Sequence, residues 1–301
     1  MSYKCRTESK ELQALKLLNT RMDLSAKDKQ HYLNLKKGFE GERRFDRQTE
    51  TLQCECLILN DLLLKVSNTV FQIDSLLICS ETIYLYEVKN YDGDYVYELD
   101  RFYTRNKTEI INPLHQLKRS ESLLRQLLDK LGYNIPINSS VVFINPEFTL
   151  YQAPITIPFI FPTQINRHIE KLNMISSKIN AKHKMLADKL VSLHLEDAPY
   201  YQLPSYNYER MRKGISCVKC SSLTTFVEGM KCFCKECGEE ELVSDSVMRS
   251  VRELHLLFSN QKISTNKVYD WCKVITSKKR ISRILEKNLK VRNVRRWSYY
   301  E

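Results

Sequence analysis

No apolar run in the chain reaches the ~18 residues that a membrane-crossing helix needs, so a membrane span is not expected. A charged-then-apolar leader with a small-residue cleavage site is also missing, which argues against secretion. Internal repeats and low-complexity tracts are absent too, and 43% hydrophobic residues in 301 are ample for packed cores. Nor is there an excess of acid: 47 Lys and Arg against 36 Asp and Glu leave a net charge of +11. That surplus favours a polyanionic partner, nucleic acid first and a membrane surface second, because each cation that meets a phosphate releases counterions. Of ten cysteines, five crowd between positions 217 and 237. Clustering of this kind points to a metal site in a reducing compartment, the cytoplasm, and not to a disulfide framework.

Residues 1–37 are Lys-rich with loosely helical leucine spacing and read as a helical lead-in without assigned chemistry. From Gly38 to about Thr49 a helix is expected, carrying Phe39, Glu42 and Phe45 or Asp46 on one face. Three strand-like runs follow at 54–64, 69–79 and 82–91, separated by short polar turns, and suggest an antiparallel meander. Beyond the turn at Tyr91 to Asp94, residues 95–103 suggest one further strand. Asn112-Pro113 opens a helix closed by Gly132, SSVVFINP (139–146) reads as a buried strand, and one long amphipathic helix is expected from about Thr163 to Leu195. The order αβββαβα implies an α/β (α+β) domain over 38–195. A linker at 196–213, a cysteine-bearing module at 214–242 and a basic three-helix tail at 243–301 complete the expected organisation.

Asp74 lies in the strand-like QIDSLLI, and the next strand offers Glu87, Val88 and Lys89. Period-two alternation puts Glu87 and Lys89 on one face. A hairpin around residues 80–82 would make Asp74 and Glu87 near cross-strand neighbours. Adjacent carboxylates repel unless a cation lies between them, which suits an oxygen-liking ion such as Mg²⁺ or Mn²⁺. A lysine beside that ion can orient water or neutralise a phosphate. Taken alone, an acid-x-Lys triplet is more often a solvent-facing pair on an amphipathic strand.

KGFEGE at 37–42, QIDSLLI at 72–78, YEVKNYDG at 86–93 and NPLHQL at 112–117 together resemble the nuclease-related domain, NERD, of the PD-(D/E)xK nuclease superfamily. The resemblance covers roughly residues 38–150. It implies a restriction-endonuclease-like αβββαβ core, Asp74 and Glu87 as Mg²⁺ or Mn²⁺ ligands, Lys89 as the catalytic lysine, Glu42 as the helix acid and Gln116 as a further polar site residue. Ser75 departs from the pattern, in which His often follows the aspartate.

Cys217-Val-Lys-Cys220 and Cys234-Lys-Glu-Cys237 are two knuckles whose spacing suits a zinc ribbon, with four thiolates around one tetrahedral, structural Zn²⁺. Gly238 fits the tight turn after the second knuckle. Cys232 is an alternative to Cys234 should the hairpin register shift by two. Cys54, Cys56, Cys79 and Cys272 read as small apolar packing residues.

Beyond Ser246 the stripes of Val251, Leu254 and Phe258, then Val268 and Trp271, then Ile281 and Leu285 suggest three helices, with N-caps at Ser264 and Ser277. A helix-turn-helix or winged-helix arrangement would present Lys278, Lys279, Arg280 and Arg283 to DNA, with Arg295 and Arg296 in a wing. Such a charged helix is also commonly just solvated. The leading expectation is a metal-dependent nuclease acting on nucleic acid, DNA first, with no membrane partner and a dimer compatible with the sequence. The other readings are a non-catalytic DNA-binding adaptor on a nuclease scaffold and a protein-interaction module whose binding would ignore salt.

Overall fold

Leucine, isoleucine and valine dominate the segments between residues 57 and 89, and these form three consecutive antiparallel strands in the computed structural model, which describes residues 2–196, 201–294 and 297–301. The strands are β1 (Leu57–Val66), β2 (Thr69–Ile78) and β3 (Ile83–Lys89); helices α1 (Lys10–Arg21) and α2 (Ala26–Thr49) precede them. A second sheet begins with β4 (Gly93–Glu98), β5 (Arg101–Thr104) and β6 (Glu109–Ile110). After α3 (Pro113–Lys130) come β7 (Ile137–Phe143), β8 (Phe148–Tyr151), β9 (Phe159–Ile160), α4 (Ile165–Asn173) and α5 (Ala181–Ser192). The fold is mixed α/β. The main sheet has the order β1-β2-β3-β7-β9, with β3, β7 and β9 parallel, and the smaller has the order β6-β5-β4-β8.

Two compact units divide the chain: Met1–Glu8 with Leu33–Tyr200, and Ser9–Tyr32 with Tyr201–Glu301. In the first, each face of the main sheet has its own core. One core gathers Leu64, Ile73, Leu85 and Phe143 with Leu117 and Leu124 of α3 and Leu186 and Leu190 of α5. The other gathers Leu77, Tyr86, Val88 and Val142 with Phe45 of α2 and Ile165 and Ile169 of α4. Strand alternation is regular in β3 but slips elsewhere: Leu59 and Leu62 of β1 reach the same core, as do Ile73 and Leu76 of β2. The slips fall at Asp61, whose φ is 55°, and at Asp74 and Ser75 of the facing strand, around the register pairs Asn60↔Ser75 and Leu62↔Ile73.

Three expectations change. The long helix from Thr163 is two helices, because the Asn180 side chain accepts the His183 N–H and starts α5 anew, while Ser177 Oγ accepts the Ser80 N–H and ties the break to the end of β2. The strand at 95–103 is a hairpin of β4 and β5, turned at Leu99 and Asp100 with φ of 49° and 63°. That turn carries neither Gly nor Asn, the residues that ordinarily signal a two-residue hairpin. The helix expected from Gly38 begins at Ala26. Gly41 in its interior is required, since a Cβ there would come within 2.4 Å of Asn90 Cβ. Asn90 is held by donating to the Lys37 carbonyl at 2.7 Å.

The second unit contains a three-stranded sheet, β10 (Thr225–Glu228), β11 (Lys231–Cys234) and β12 (Glu240–Leu242), followed by α6 (Val243–Leu257), α7 (Thr265–Cys272) and α8 (Lys278–Asn288). Ser264 and Ser277 cap α7 and α8. The terminal segment contains an antiparallel pair, β13 (Val291–Val294) with β14 (Trp297–Tyr300). Leu18 of α1 shares its core with Val247, Leu254, Trp271 and Leu285. Arg21, fully buried, pairs with Glu253 at 2.7 Å and lies 4.0 Å over the Trp271 ring.

Candidate active site and metal centre

The first site forms where β2 and β3 part. Their register runs from Ile78↔Ile83 to Ser75↔Tyr86 and stops there. One position on, the Val88 N–H donates to Asp74 Oδ2 at 2.8 Å, so a carboxylate takes over from the ladder. Glu87 follows Leu85 onto the face of the α3 core, and Val88 turns to the opposite core. Both acids are buried, Asp74 6% and Glu87 1% exposed. Lys89 Nζ lies 2.7 Å from Glu87 Oε1 and donates to Gln116 Oε1 at 2.9 Å. Gln116 is placed by the first turn of α3, fixed by Pro113 and by Asn112, whose side chain accepts the Leu114 N–H. The ion pair with Lys89 is thus what Glu87 Oε1 meets in its buried position.

Glu42 joins these residues from α2. Arg6 NH1 donates to Glu42 Oε2 at 2.6 Å, Arg6 Nε pairs with Asp46 Oδ2 at 2.9 Å, and Arg6 NH2 donates to the Asp74 carbonyl at 2.6 Å. Nothing in the sequence singles out Arg6, which lies 68 residues from Asp74 in an ordinary polar stretch. It arrives because the Tyr3 and Lys4 N–H groups donate to the Ile58 carbonyl and the Asn60 N–H to the Lys4 carbonyl, laying the N-terminal segment along the edge of β1. On the other face of β2, Ser75 Oγ donates to Asn60 Oδ1 at 2.9 Å.

The electrostatics are those of crowded acids. Burial, then the nearby Asp74, pushes Glu42 up to about 7 and Glu87 up to about 8. Burial also raises Asp74, against the pull of Lys89 and the Val88 N–H. Lys89 would be lowered by burial, but Glu87 and Asp74 outweigh it and hold the ammonium charged. Glu42, Asp74, Glu87, Lys89 and Gln116 thus meet around the open ends of β2 and β3. The three carboxylates do not close as tightly as the cysteines described next.

Cys217, Cys220, Cys234 and Cys237 form a group whose sulfurs all lie within 4.8 Å of one another, and could hold a metal ion. The Cys217 to Cys237 and Cys220 to Cys234 separations are each 3.6 Å. Tetrahedral ligation with Zn–S near 2.3 Å requires sulfurs about 3.8 Å apart. The knuckles match: Ser221 and Gly238, each immediately after the second cysteine, have φ of 61° and 72°, and their N–H groups donate to the carbonyls of Cys217 and Cys234. Burial pushes the Cys217 thiol up, yet the Cys220 and Lys219 N–H groups outweigh it and bring it down to about 7. Cys232 is not in the group; it packs in the core with Val243 and Val247, because only Cys234 stands at the turn facing Cys237.

The basic residues of α8 are divided. Lys279 and Arg283 are exposed, whereas Lys278 donates to Asn266 and half-buried Arg280 contacts Met230 Sδ. Arg295 and Arg296 lie outside the described residues. No described helix is long and apolar enough to cross a membrane.

The family model of the nuclease-related domain, NERD, matches residues 37–144, the stretch that carries Glu42, Asp74, Glu87, Lys89 and Gln116. The resemblance seen in the four sequence motifs is borne out over these residues. No curated protein and no solved structure matches the chain.

Proposed function

We propose that the chain is a metal-dependent nuclease hydrolysing phosphodiester bonds of nucleic acid, DNA in the first place. The observation that carries this reading is the group of buried Asp74 and Glu87 with half-buried Lys89 within the nuclease-related domain match. Its donor set fits a divalent cation: two buried carboxylates lie close together, and burial, with Asp74 beside them, raises Glu87 and Glu42. Oxygen donors of this kind select Mg²⁺ or Mn²⁺, with Asp74 and Glu87 as ligands and Glu42 more distant. When bound, such an ion supplies charge stabilisation at the phosphoryl oxygens and acidifies a water. Lys89, charged and aimed by Glu87 and Gln116, then offers its ammonium to the phosphate. Glu42, whose Oε2 is occupied by Arg6, keeps Oε1 as a proton acceptor near neutral pH.

The order α2, β1, β2, β3, α3, β7 supports a restriction-endonuclease-like core, with 38–195 as the catalytic domain. The four cysteines hold structural Zn²⁺ and need a reducing compartment such as the cytoplasm, which keeps them as thiols. Lys279 and Arg283, with the β13–β14 hairpin as a wing, serve a helix-turn-helix-like tail that holds DNA. One observation favours an alternative, a non-catalytic DNA-binding adaptor: the Lys89 ammonium already lies against Glu87, where a cation would bind.

Cleavage of labelled single- and double-stranded DNA and RNA, with Mg²⁺, with Mn²⁺ or with no added divalent ion, separates the two. Under the nuclease reading Asp74→Ala and Lys89→Ala each lower metal-dependent cleavage about 10³-fold while binding persists. DNA binding with no cleavage under any condition establishes the adaptor.

A further inference from the structure

A cleft of about 280 Å³ opens in the first unit between α2, the segment after β7 and the start of α4. Buried Ile144 and Ile165 line it, with Pro146 and Pro162 beside them, and exposed Arg44 and Arg47 stand along the α2 side. Their nearest cationic neighbours on α2 have partners: Lys36 pairs with Glu40, Lys37 with Asp92, and Arg43 lies over the Phe39 ring. Arg44 and Arg47 have no ion pair or hydrogen bond among the described residues, although they are three apart on one helix, where like charges repel. A pocket with two unneutralised guanidinium groups beside an apolar wall suits a ligand that is anionic at one end and flat and apolar at the other.

The position of the cleft narrows the choice. The Ile144 N–H donates to the Lys89 carbonyl at 3.0 Å, so its lining adjoins the strand that carries Glu87 and Lys89. Arg44 follows Glu42 by two residues, which turns it to the opposite flank of α2. Ile144 and Ile165 belong to the core on the Val88 face of the sheet, so a polymer with one phosphate at the acids would have to pass over the end of β3 to reach the cleft. A base can enter such a pocket only when it is unstacked and unpaired.

We infer that this cleft seats one nucleotide of a single-stranded segment flanking the scissile bond, with phosphate on Arg44 and Arg47 and base against Pro146 and Pro162. The inference rests on the nuclease reading for the identity of its ligand and adds the strand form. Binding of fluorescein-labelled oligothymidylate and of a labelled duplex to the full chain, without added Mg²⁺ or Mn²⁺, tests it. For Arg44→Ala/Arg47→Ala, single-strand affinity falls at least about tenfold, and its log-log salt slope becomes shallower by about 1.4, the value for two lost phosphate contacts. Duplex affinity falls much less. The melting temperature holds, since both side chains are exposed, and Arg44→Lys/Arg47→Lys keeps most of the salt slope. Unchanged single-strand binding, or an equal loss on duplex, overturns the inference. If the wild type cuts nothing with Mg²⁺ or Mn²⁺ yet the double alanine variant loses single-strand affinity, the cleft stands and the nuclease reading falls. Cleavage of single strands with unchanged KM in that variant overturns the cleft and leaves the nuclease reading intact.

Discussion

The acid site and the four-cysteine site both gather groups that repel when ionised, but they balance that repulsion differently. Around Glu42, Asp74 and Glu87 the fold supplies its own cations: Arg6 between Glu42 and Asp46, and Lys89 against Glu87. Around Cys217 the closest compensation comes from backbone N–H groups, such as that of Lys219 at 3.4 Å from the sulfur, with the Lys219 ammonium a weaker contributor. Under the proposed function, the acid site would therefore stand without a metal and exchange it, whereas the cysteine site, closed by four sulfurs, would depend on a bound ion for its form.

The largest expected effect breaks the comparison at its closed end. The chain should carry about one zinc per molecule by elemental analysis. Cys237→Ser should lose it, at a cost on the order of 10 kcal/mol to the local structure, as in small zinc modules. Limited proteolysis of the variant should then cut within residues 201–245, while β1 to β3 stay protected. A variant that keeps wild-type protection and melting without zinc would show that these thiols are core residues and not ligands.

Next in size is Arg6→Met, which removes the built-in cation and keeps much of the side-chain volume. Leaving Glu42 and Asp46 unpaired should destabilise the first unit by about 3–5 kcal/mol, the usual result of removing one partner from a buried pair. Millimolar Mg²⁺ should restore part of that loss if the acids bind it. A melting temperature that drops equally with and without Mg²⁺ would place Arg6 in packing alone.

Arg6 also marks where sequence reading ends. Asp74, Glu87 and Lys89 were legible because β3 alternates strictly and the turn between β2 and β3 is short, so local rules place them together. The N-terminal segment reaches the site through edge pairing with β1, which leaves no periodic trace in Tyr3-Lys4-Cys5-Arg6. Alternation misleads where it slips, at Asp61 and Asp74, and those slips let β2 part from β3. The knuckle spacing identified the cysteine group, yet the choice between Cys232 and Cys234 needed the hairpin register, Thr225↔Cys234 and Val227↔Cys232. The break at Met174 to Asn180 was obscured because its flanks share helical spacing, and only the Asn180 cap separates them.

The smallest effect sharpens the open end of the comparison through pH. Glu42 and Glu87 are raised from their ordinary 4.5 to about 7 and about 8, and Asp74 is raised as well. Between pH 4.5 and 8 these acids thus bind more protons in the folded chain without a divalent cation than in the unfolded chain. Their contribution to stability falls as pH rises through that window, being fully present below the unfolded values and lost above the folded ones. A divalent cation replaces those protons, so Mg²⁺ should add little near pH 5 and most near pH 8. Thermal melts from pH 5 to 9 in metal-depleted buffer, with zinc left in place, should decline towards the alkaline end, and Mg²⁺ should flatten the profile. Glu87→Gln removes the group that shifts most among those with defined values, so it should shrink both the decline and the Mg²⁺ response by the same mechanism. A Mg²⁺ response in that variant equal to wild type at every pH would mean that the cation binds away from Glu87, and the acid site would lose its claim to the metal.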